Sequence, residues 1–367
     1  MNILITNINT LAILLNLTIS YYLNMLFRKI NIFSIWLIIL GLFVCTIILI
    51  GGYTRISDSG LSITEWLPIK GIFYPLTELA WETEFNKYKK IDEFMLINSS
   101  MTLTEFKYIY FWEWFHRVFA RFIALIYLIP LIYLIISREI ENKYIYNIFF
   151  IGLLLAIQAV VGWYMVKSGL TGRVDVSQYR LSLHLAIAFI ILGLIFSTLL
   201  KFYEHENYLS FNRDLRKRNK LLLTLAVLIF FQIVYGAFVS GTDSGLLYDT
   251  WPLYNGRVLP DELIVQNKFL YNFFENKKFI IFFHRTFAFI LFVFILYLNF
   301  LIFKKFTRYE TVLLITFFDI IFLIQIGFGI SMTYLNIPWY IALAHQGNSV
   351  VIFLLSIYIY FLSKEPS

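Results

Sequence analysis

Apolar residues run unbroken along most of this chain, and polar clusters interrupt them at intervals. Runs of spanning length fall at about 31–53, 108–136, 144–166, 180–203, 219–240, 279–303, 311–334 and 338–362. A bilayer core of about 30 Å needs roughly 20 apolar residues in helical form. Backbone polar groups find no water there, so each run satisfies its own amides only as a helix. The pattern therefore predicts eight transmembrane helices in an all-α membrane protein.

The polar segments between them set an orientation. Segment 201–220 carries Lys201, Arg213, Arg216, Lys217, Arg218 and Lys220 against Glu204, Glu206 and Asp214. Lys304, Lys305 and Arg308 join spans six and seven, and Arg28 and Lys29 precede span one. The loop after span one is acidic instead, with Glu78, Glu82, Glu84, Asp92, Glu93 and Glu105. The positive-inside rule then puts both termini on the cytoplasmic or matrix side and loops 54–107 and 241–278 outside. Residues 1–30 have no Lys or Arg before Arg28, unlike a secretory signal or a transit peptide. They read as a weak interfacial segment, with a ninth span as the alternative.

The two halves of the chain resemble each other. Phe115-His116-Arg117-Val118-Phe119-Ala120 matches Phe283-His284-Arg285-Thr286-Phe287-Ala288. Asp58-Ser59-Gly60-Leu61 followed by Trp66 matches Asp243-Ser244-Gly245-Leu246 followed by Trp251. Gln158, Gly162 and Met165 match Gln325, Gly329 and Met332, and His184 corresponds to His345. Four matches in one order imply two tandem, parallel-repeated four-helix bundles. The expected divisions are an N-terminal segment 1–30, a first bundle 31–203, an inner linker 204–218 and a second bundle 219–367.

Composition narrows the chemistry. Hydrophobic residues make up 60% and charged residues 14%, against about 25% charged in soluble domains. The net charge of +7 follows from loop asymmetry and not from nucleic-acid binding. Cys45 is the single cysteine, so neither a disulfide within the chain nor a thiolate cluster is available. Metal chemistry has to rest on histidine.

His116, His184, His284 and His345 lie one each in spans two, four, six and eight, all within about two turns of the outer helix end, roughly 6–12 Å deep. Intramembrane histidine is costly and usually functional. Two imidazoles at matched depth on different helices of a bundle suit axial haem ligation. A hydrogen bond to a neighbouring helix is the alternative for any single one of them. Zinc suits the pattern less, because two histidines per half do not complete a tetrahedral set. His205 lies in the charged inner loop and reads as solvated.

Arg117 and Arg285 follow their histidines and offer guanidinium forks for haem propionates, or snorkel to the interface. Glu113 lies one turn before His116, where the second half has Ile281. A carboxylate kept in only one half points to proton transfer unique to that half, or to a structural partner for Arg117 or Arg121. Arg55, matched by Ser240, is also unique to the first half. Asp319 in span seven has no interpretable counterpart. One half doing chemistry while the other transfers electrons fits this asymmetry.

The stretches GGYTRISDSGLSITEW (51–66), WETEFNKYKKIDEF (81–94), MTLTEFKYIYFWEWFHR (101–117), GWYMVKSGL (162–170) and VSQYRLSLHLAIA (176–188), with the later FHR and AHQGNSV segments, resemble haem A synthases of the mitochondrial and alphaproteobacterial kind. The resemblance implies an eight-span oxidoreductase that converts the C8 methyl of haem O to the formyl of haem A, with haem b as cofactor. It implies a haem O site at His116 and His184 with Glu113, joined by Arg117 and Arg55, and haem b on His284 and His345, with Arg285 as a propionate candidate. The cysteine pairs that some members carry in their outer loops are missing here. Implied partners are haem O synthase, an electron donor such as ferredoxin or quinol, and the cytochrome c oxidase assembly machinery, in a bacterial or mitochondrial inner membrane. A di-haem b-type cytochrome that only passes electrons is the alternative the histidines leave open.

Overall fold

The computed structural model describes residues 31–205, 212–304 and 307–364. The expected interfacial segment 1–30 and part of the linker 204–218 lie outside them.

α1 (Ile32–Ile56) starts the described chain, and the Asn31 side chain caps it by accepting from Phe33 N at 2.9 Å. Two short helices follow in the long loop, α2 (Glu78–Tyr88) and α3 (Asp92–Leu96). α4 (Leu103–Ile136) has a reciprocal capping box: Glu105 N donates to Thr102 Oγ1 at 3.3 Å and Thr102 N donates to Glu105 Oε2 at 2.7 Å. α5 (Asn142–Lys167) and α6 (Gln178–His205) complete the first four spans. The short α7 (Arg213–Arg216) belongs to the linker. α8 (Asn219–Gly241), α9 (Phe269–Phe274), α10 (Lys277–Phe303), α11 (Tyr309–Tyr334) and α12 (Trp339–Leu362) follow. The eight long helices are each apolar and long enough to cross a membrane, and they coincide with the eight predicted spans. Among the described residues the only β pairing is an isolated bridge, Tyr254 to Arg257.

Packing is asymmetric between helices. α1, α6, α8 and α12 form the middle of the molecule, with α6 on α8 and α12 on both α1 and α6. α4 lies against α1, α5 against α6, α10 against α8 and α11 against α12. The peripheral neighbours α4 and α5 barely touch, and neither do α10 and α11. Each set of four is therefore open between its two outer helices. Phe122, Leu125, Leu128, Ile129 and Ile132 of α4 stay exposed, as side chains facing lipid do.

At 34 residues α4 is about 51 Å long, well beyond the bilayer core. Its first turns project into the loop and carry a second core of Trp81, Phe85, Tyr88, Phe106, Ile109 and Tyr110. This cap covers the first four spans alone. Asp92 Oδ2 ties it to the α5–α6 loop by accepting from Gly172 N at 2.6 Å.

Candidate functional site

α1 and α8 each end on an aspartate in the left-handed region, Asp58 (φ 47°) and Asp243 (φ 53°), a conformation Asp tolerates better than most residues. Each turn sends the chain back over its own helices. Arg117 Nη2 donates to Ile63 O at 2.9 Å and Nη1 to Glu65 O at 3.1 Å. Arg285 Nη2 donates to Tyr248 O at 3.3 Å and to Thr333 Oγ1 at 3.2 Å, and Nη1 to Thr250 O at 3.1 Å. Both arginines thus hold the loop that precedes Trp66 or Trp251 onto the helix carrying the adjacent histidine.

The histidines form two pairs. His116 on α4 and His184 on α6 are close enough for their charges to interact, as are His284 on α10 and His345 on α12. Each pair joins one peripheral helix to one central helix. Every ring also faces a glycine of a neighbouring helix. A Cβ on Gly51 of α1 would lie 3.2 Å from His116 Cε1, and on Gly162 of α5 it would lie 3.0 Å from His184 Cε1. In the other four spans a Cβ on Gly236 of α8 would lie 3.2 Å from His284 Cε1, and on Gly329 of α11 it would lie 3.5 Å from His345 Cε1. A peripheral histidine meets a central glycine, and a central histidine meets a peripheral one, in both sets.

These residues fit haem. The Nδ1 atoms of His116, His184 and His345 are buried without a hydrogen-bond partner, a costly state for free imidazoles. In each set two imidazoles come together from different helices, and glycines leave room for the ring edges. Among the described residues no three His, Cys, Asp or Glu are grouped to hold a metal by themselves. Two protein ligands per iron matches the two axial positions that a tetrapyrrole leaves free.

Glu113 is 3% exposed. Its Oε2 accepts from Ser62 Oγ and Ile63 N, both at 2.7 Å, and its Oε1 pairs with Arg117 at 2.5 Å. The carboxylate one turn from His116 is therefore fixed by the loop as well as by its own helix. Arg55 lies on the seam between the two sets. Its Nη1 pairs with Asp58 at 2.8 Å, and its Nη2 pairs with Asp243 at 2.7 Å and donates to Ser240 O at 2.9 Å. The two matched aspartates thus meet on one guanidinium. Asp319 accepts from Asn299 Nδ2 at 2.8 Å in the half of α11 remote from the histidines. His205 is exposed at the end of α6.

Sequence reading alone missed Ser62, the Ile63 amide, Gly51, Gly236 and Gln232. A signal for the glycines was present: Gly51 precedes Asp58 by seven residues (58 − 51), and Gly236 precedes Asp243 by seven (243 − 236).

Residues 34–357 match the family described as cytochrome oxidase assembly protein, COX15-CtaA. A Rhizobium etli protein called "Heme A synthase" is 39% identical over 326 residues, covering 87% of this chain and 86% of that protein. A Pelagibacter ubique protein of the same name is 40% identical over 338 residues, covering 91% and 96%. One from Parvibaculum lavamentivorans is 41% identical over 256 residues, covering 70% and 73%. With its family match running through all eight helices and these relatives aligned over most of its length, the chain belongs to the COX15-CtaA family of cytochrome oxidase assembly proteins.

Proposed function

We propose that this protein is a haem A synthase, an integral membrane oxidoreductase that converts the C8 methyl of haem O to a formyl group by successive hydroxylations. The observation that carries the reading is the doubled seat: in each set of four spans two buried histidines from different helices pair, and each ring packs against a glycine of a neighbouring helix. No side chain attacks an unactivated methyl, and that oxidising power is what haem iron supplies when bound, with electrons from outside the chain.

His116 and His184 hold the substrate haem O, and His284 and His345 hold haem b. Glu113 sets the first pocket apart, because it brings a carboxylate to the ligand helix where the second has Ile281. Its role is proton transfer at that pocket, with Ser62, Ile63 and Arg117 fixing its position. Arg117 and Arg285 hold the loops beside the two histidine pairs, and each would be the guanidinium available to haem propionates. Arg55 acts on the first pocket through the seam it closes. The histidine end faces outward and the 204–218 linker inward. Haem O synthase supplies the substrate, ferredoxin or quinol the electrons, and cytochrome c oxidase assembly takes the product.

The test is expression together with a haem O synthase, followed by chromatography of the extracted haems. Wild type is expected to yield haem A. Glu113→Gln is expected to keep haem b while haem A formation falls by about 10²–10⁴-fold, the usual share of general acid–base catalysis. Haem b alone from the wild type would make the protein an electron-transfer cytochrome instead.

A further inference from the structure

We propose that a cavity between the two sets of spans binds a membrane quinol, the reductant of the haem b assigned to His284 and His345. The inference names the electron donor of the proposed haem A synthase and rests on that reading.

The cavity measures about 220 Å³. Tyr53, Ile56 and Ser57 line it from the end of α1, Tyr108 from α4 and Trp339 from the start of α12. Aromatic rings make its walls: the Tyr53 ring lies 4.2 Å from that of Trp112 on α4, and 5.7 Å from that of Trp339, edge to face. Hydroxyls are its polar groups. Tyr53 OH bonds Tyr108 OH, and Ser57 Oγ is 2.7 Å from Ser59 Oγ. None of the five lining side chains is charged. A drug-sized ligand fills roughly 300–1,000 Å³, so this space suits one substituted ring with its tail outside. Flat walls, hydroxyl partners and no charge suit a quinol head group, a neutral aromatic ring with two hydroxyls.

The repeat shows that this space is particular to one seam. Five residues before Asp58 and Asp243 stand Tyr53 and Phe238, and two residues before them stand Ile56 and Gly241. Six residues before His345 and His184 stand Trp339 and Gln178. The second place is closed. A Cβ on Gly241 would lie 2.9 Å from Gln178 Cα, and Phe238 is buried against Tyr179 and Phe274. Glycine lets α6 come up against α8 there, whereas the bulk of Ile56 and Trp339 holds the ends of α1 and α12 apart. The open seam also has a tyrosine hydroxyl where the closed one has phenylalanine.

The cavity lies between the two histidine pairs. Tyr53 is two residues from Gly51, which packs on His116, and Gly52 packs on Gln346, the neighbour of His345. Trp339 precedes His345 by six residues, about 9 Å along α12. A soluble donor on the inner side would stand most of the roughly 30 Å core away, whereas a quinol moves within the bilayer and reaches this end. Quinol bound there is oxidised to quinone. Its two electrons leave one at a time, each reducing a ferric haem b iron, and its two protons leave through the Tyr53, Tyr108 and Ser57 hydroxyls to the outer water.

The experiment uses the full-length, haem-loaded protein with two readouts. A photoreactive azidoquinone, mapped by peptide mass spectrometry, reports the cavity without any electron transfer. Anaerobic reduction of the low-spin haem by decylubiquinol reports the electron step, with dithionite as the check that the haem is in place. Wild type is expected to carry the label on the lining residues. Ile56→Trp, which fills the space, is expected to lose the label and the reduction by quinol while dithionite still reduces the haem. Tyr53→Phe is expected to raise the half-saturating quinol concentration by about 2–10-fold, the loss of one hydrogen bond. Label elsewhere, undiminished label in Ile56→Trp, or a wild-type haem reduced by ferredoxin and not by quinol overturns the inference. His284→Ala separates it from the reading beneath. Label kept with the low-spin haem lost upholds both, whereas a retained low-spin haem overturns the haem b assignment and the electron step with it.

Discussion

Glu93, in α3 of the cap, is 6% exposed, and its Oε2 has no hydrogen-bond partner. Burial pushes its carboxyl up to about 8; a hydrogen bond with Tyr88 opposes that, and the charges of Glu113, Asp175 and Asp58 add to it. The Asn98 amide, 3.4 Å from Oε1, is the other polar group against it. The folded cap therefore keeps the proton where the unfolded chain, with an ordinary value near 4.3, has lost it. Between those values the folded state binds more protons than the unfolded one, so stability falls as pH rises. The contribution is full below about 4.3 and is lost as pH climbs toward 8. The cap is expected to become sensitive to protease as pH is raised through 8, and Glu93→Gln, neutral throughout, is expected to flatten the profile. Parallel pH profiles for the two proteins would show that Glu93 does not carry the effect.

At the scale of helices, the glycine seats give a graded test. A Cβ contact at 3.0 Å forces the neighbour to move, whereas 3.5 Å is ordinary contact. Alanine is therefore expected to disturb His184 most when placed at Gly162, His116 and His284 less at Gly51 and Gly236, and His345 least at Gly329. Haem content and the low-spin spectrum of each purified variant measure the order. Equal behaviour of Gly162→Ala and Gly329→Ala would mean that the helices shift and the rings do not. Gly52 belongs to a different contact. A Cβ there would fall on the Gln346 side chain, whose Nε2 donates to Ile48 O at 2.8 Å and joins α12 to α1.

For the whole molecule, the seam sets how the two sets of spans face each other. Arg55, with Asp58 and Asp243, closes it at the histidine end, and Gln178 Nε2 adds a bond to Glu275 Oε2 at 2.9 Å. Both histidine pairs lie at that end, near the starts of their helices, and orientation in the membrane decides which compartment it faces. Cysteines introduced as Lys87→Cys and Lys217→Cys, read with an impermeant thiol reagent on intact cells, report it. Lys87→Cys is expected to label from outside and Lys217→Cys to stay protected. The reverse pattern would invert the orientation.

The sequence by itself determined the eight spans, because a backbone in lipid has no hydrogen-bonding choice except the helix. It also determined the four histidines and their depth, since intramembrane polar residues stand out against apolar runs. Motif matches paired Asp58 with Asp243 and His116 with His284 before any contact was known. The tertiary structure decided which groups meet. Glu113 shares a helix with Arg117, but only loop closure brings it the Ser62 hydroxyl and the Ile63 amide. Arg55 and Asp243 are far apart in the chain, and only the packing of α1 and α8 against α6 and α12 makes them partners. Gln232 looks in the sequence like any polar residue in a span. Its position beside the His284 ring depends on how α8 is rotated against α10, and helix rotation is set by side-chain packing, which a one-dimensional pattern does not contain.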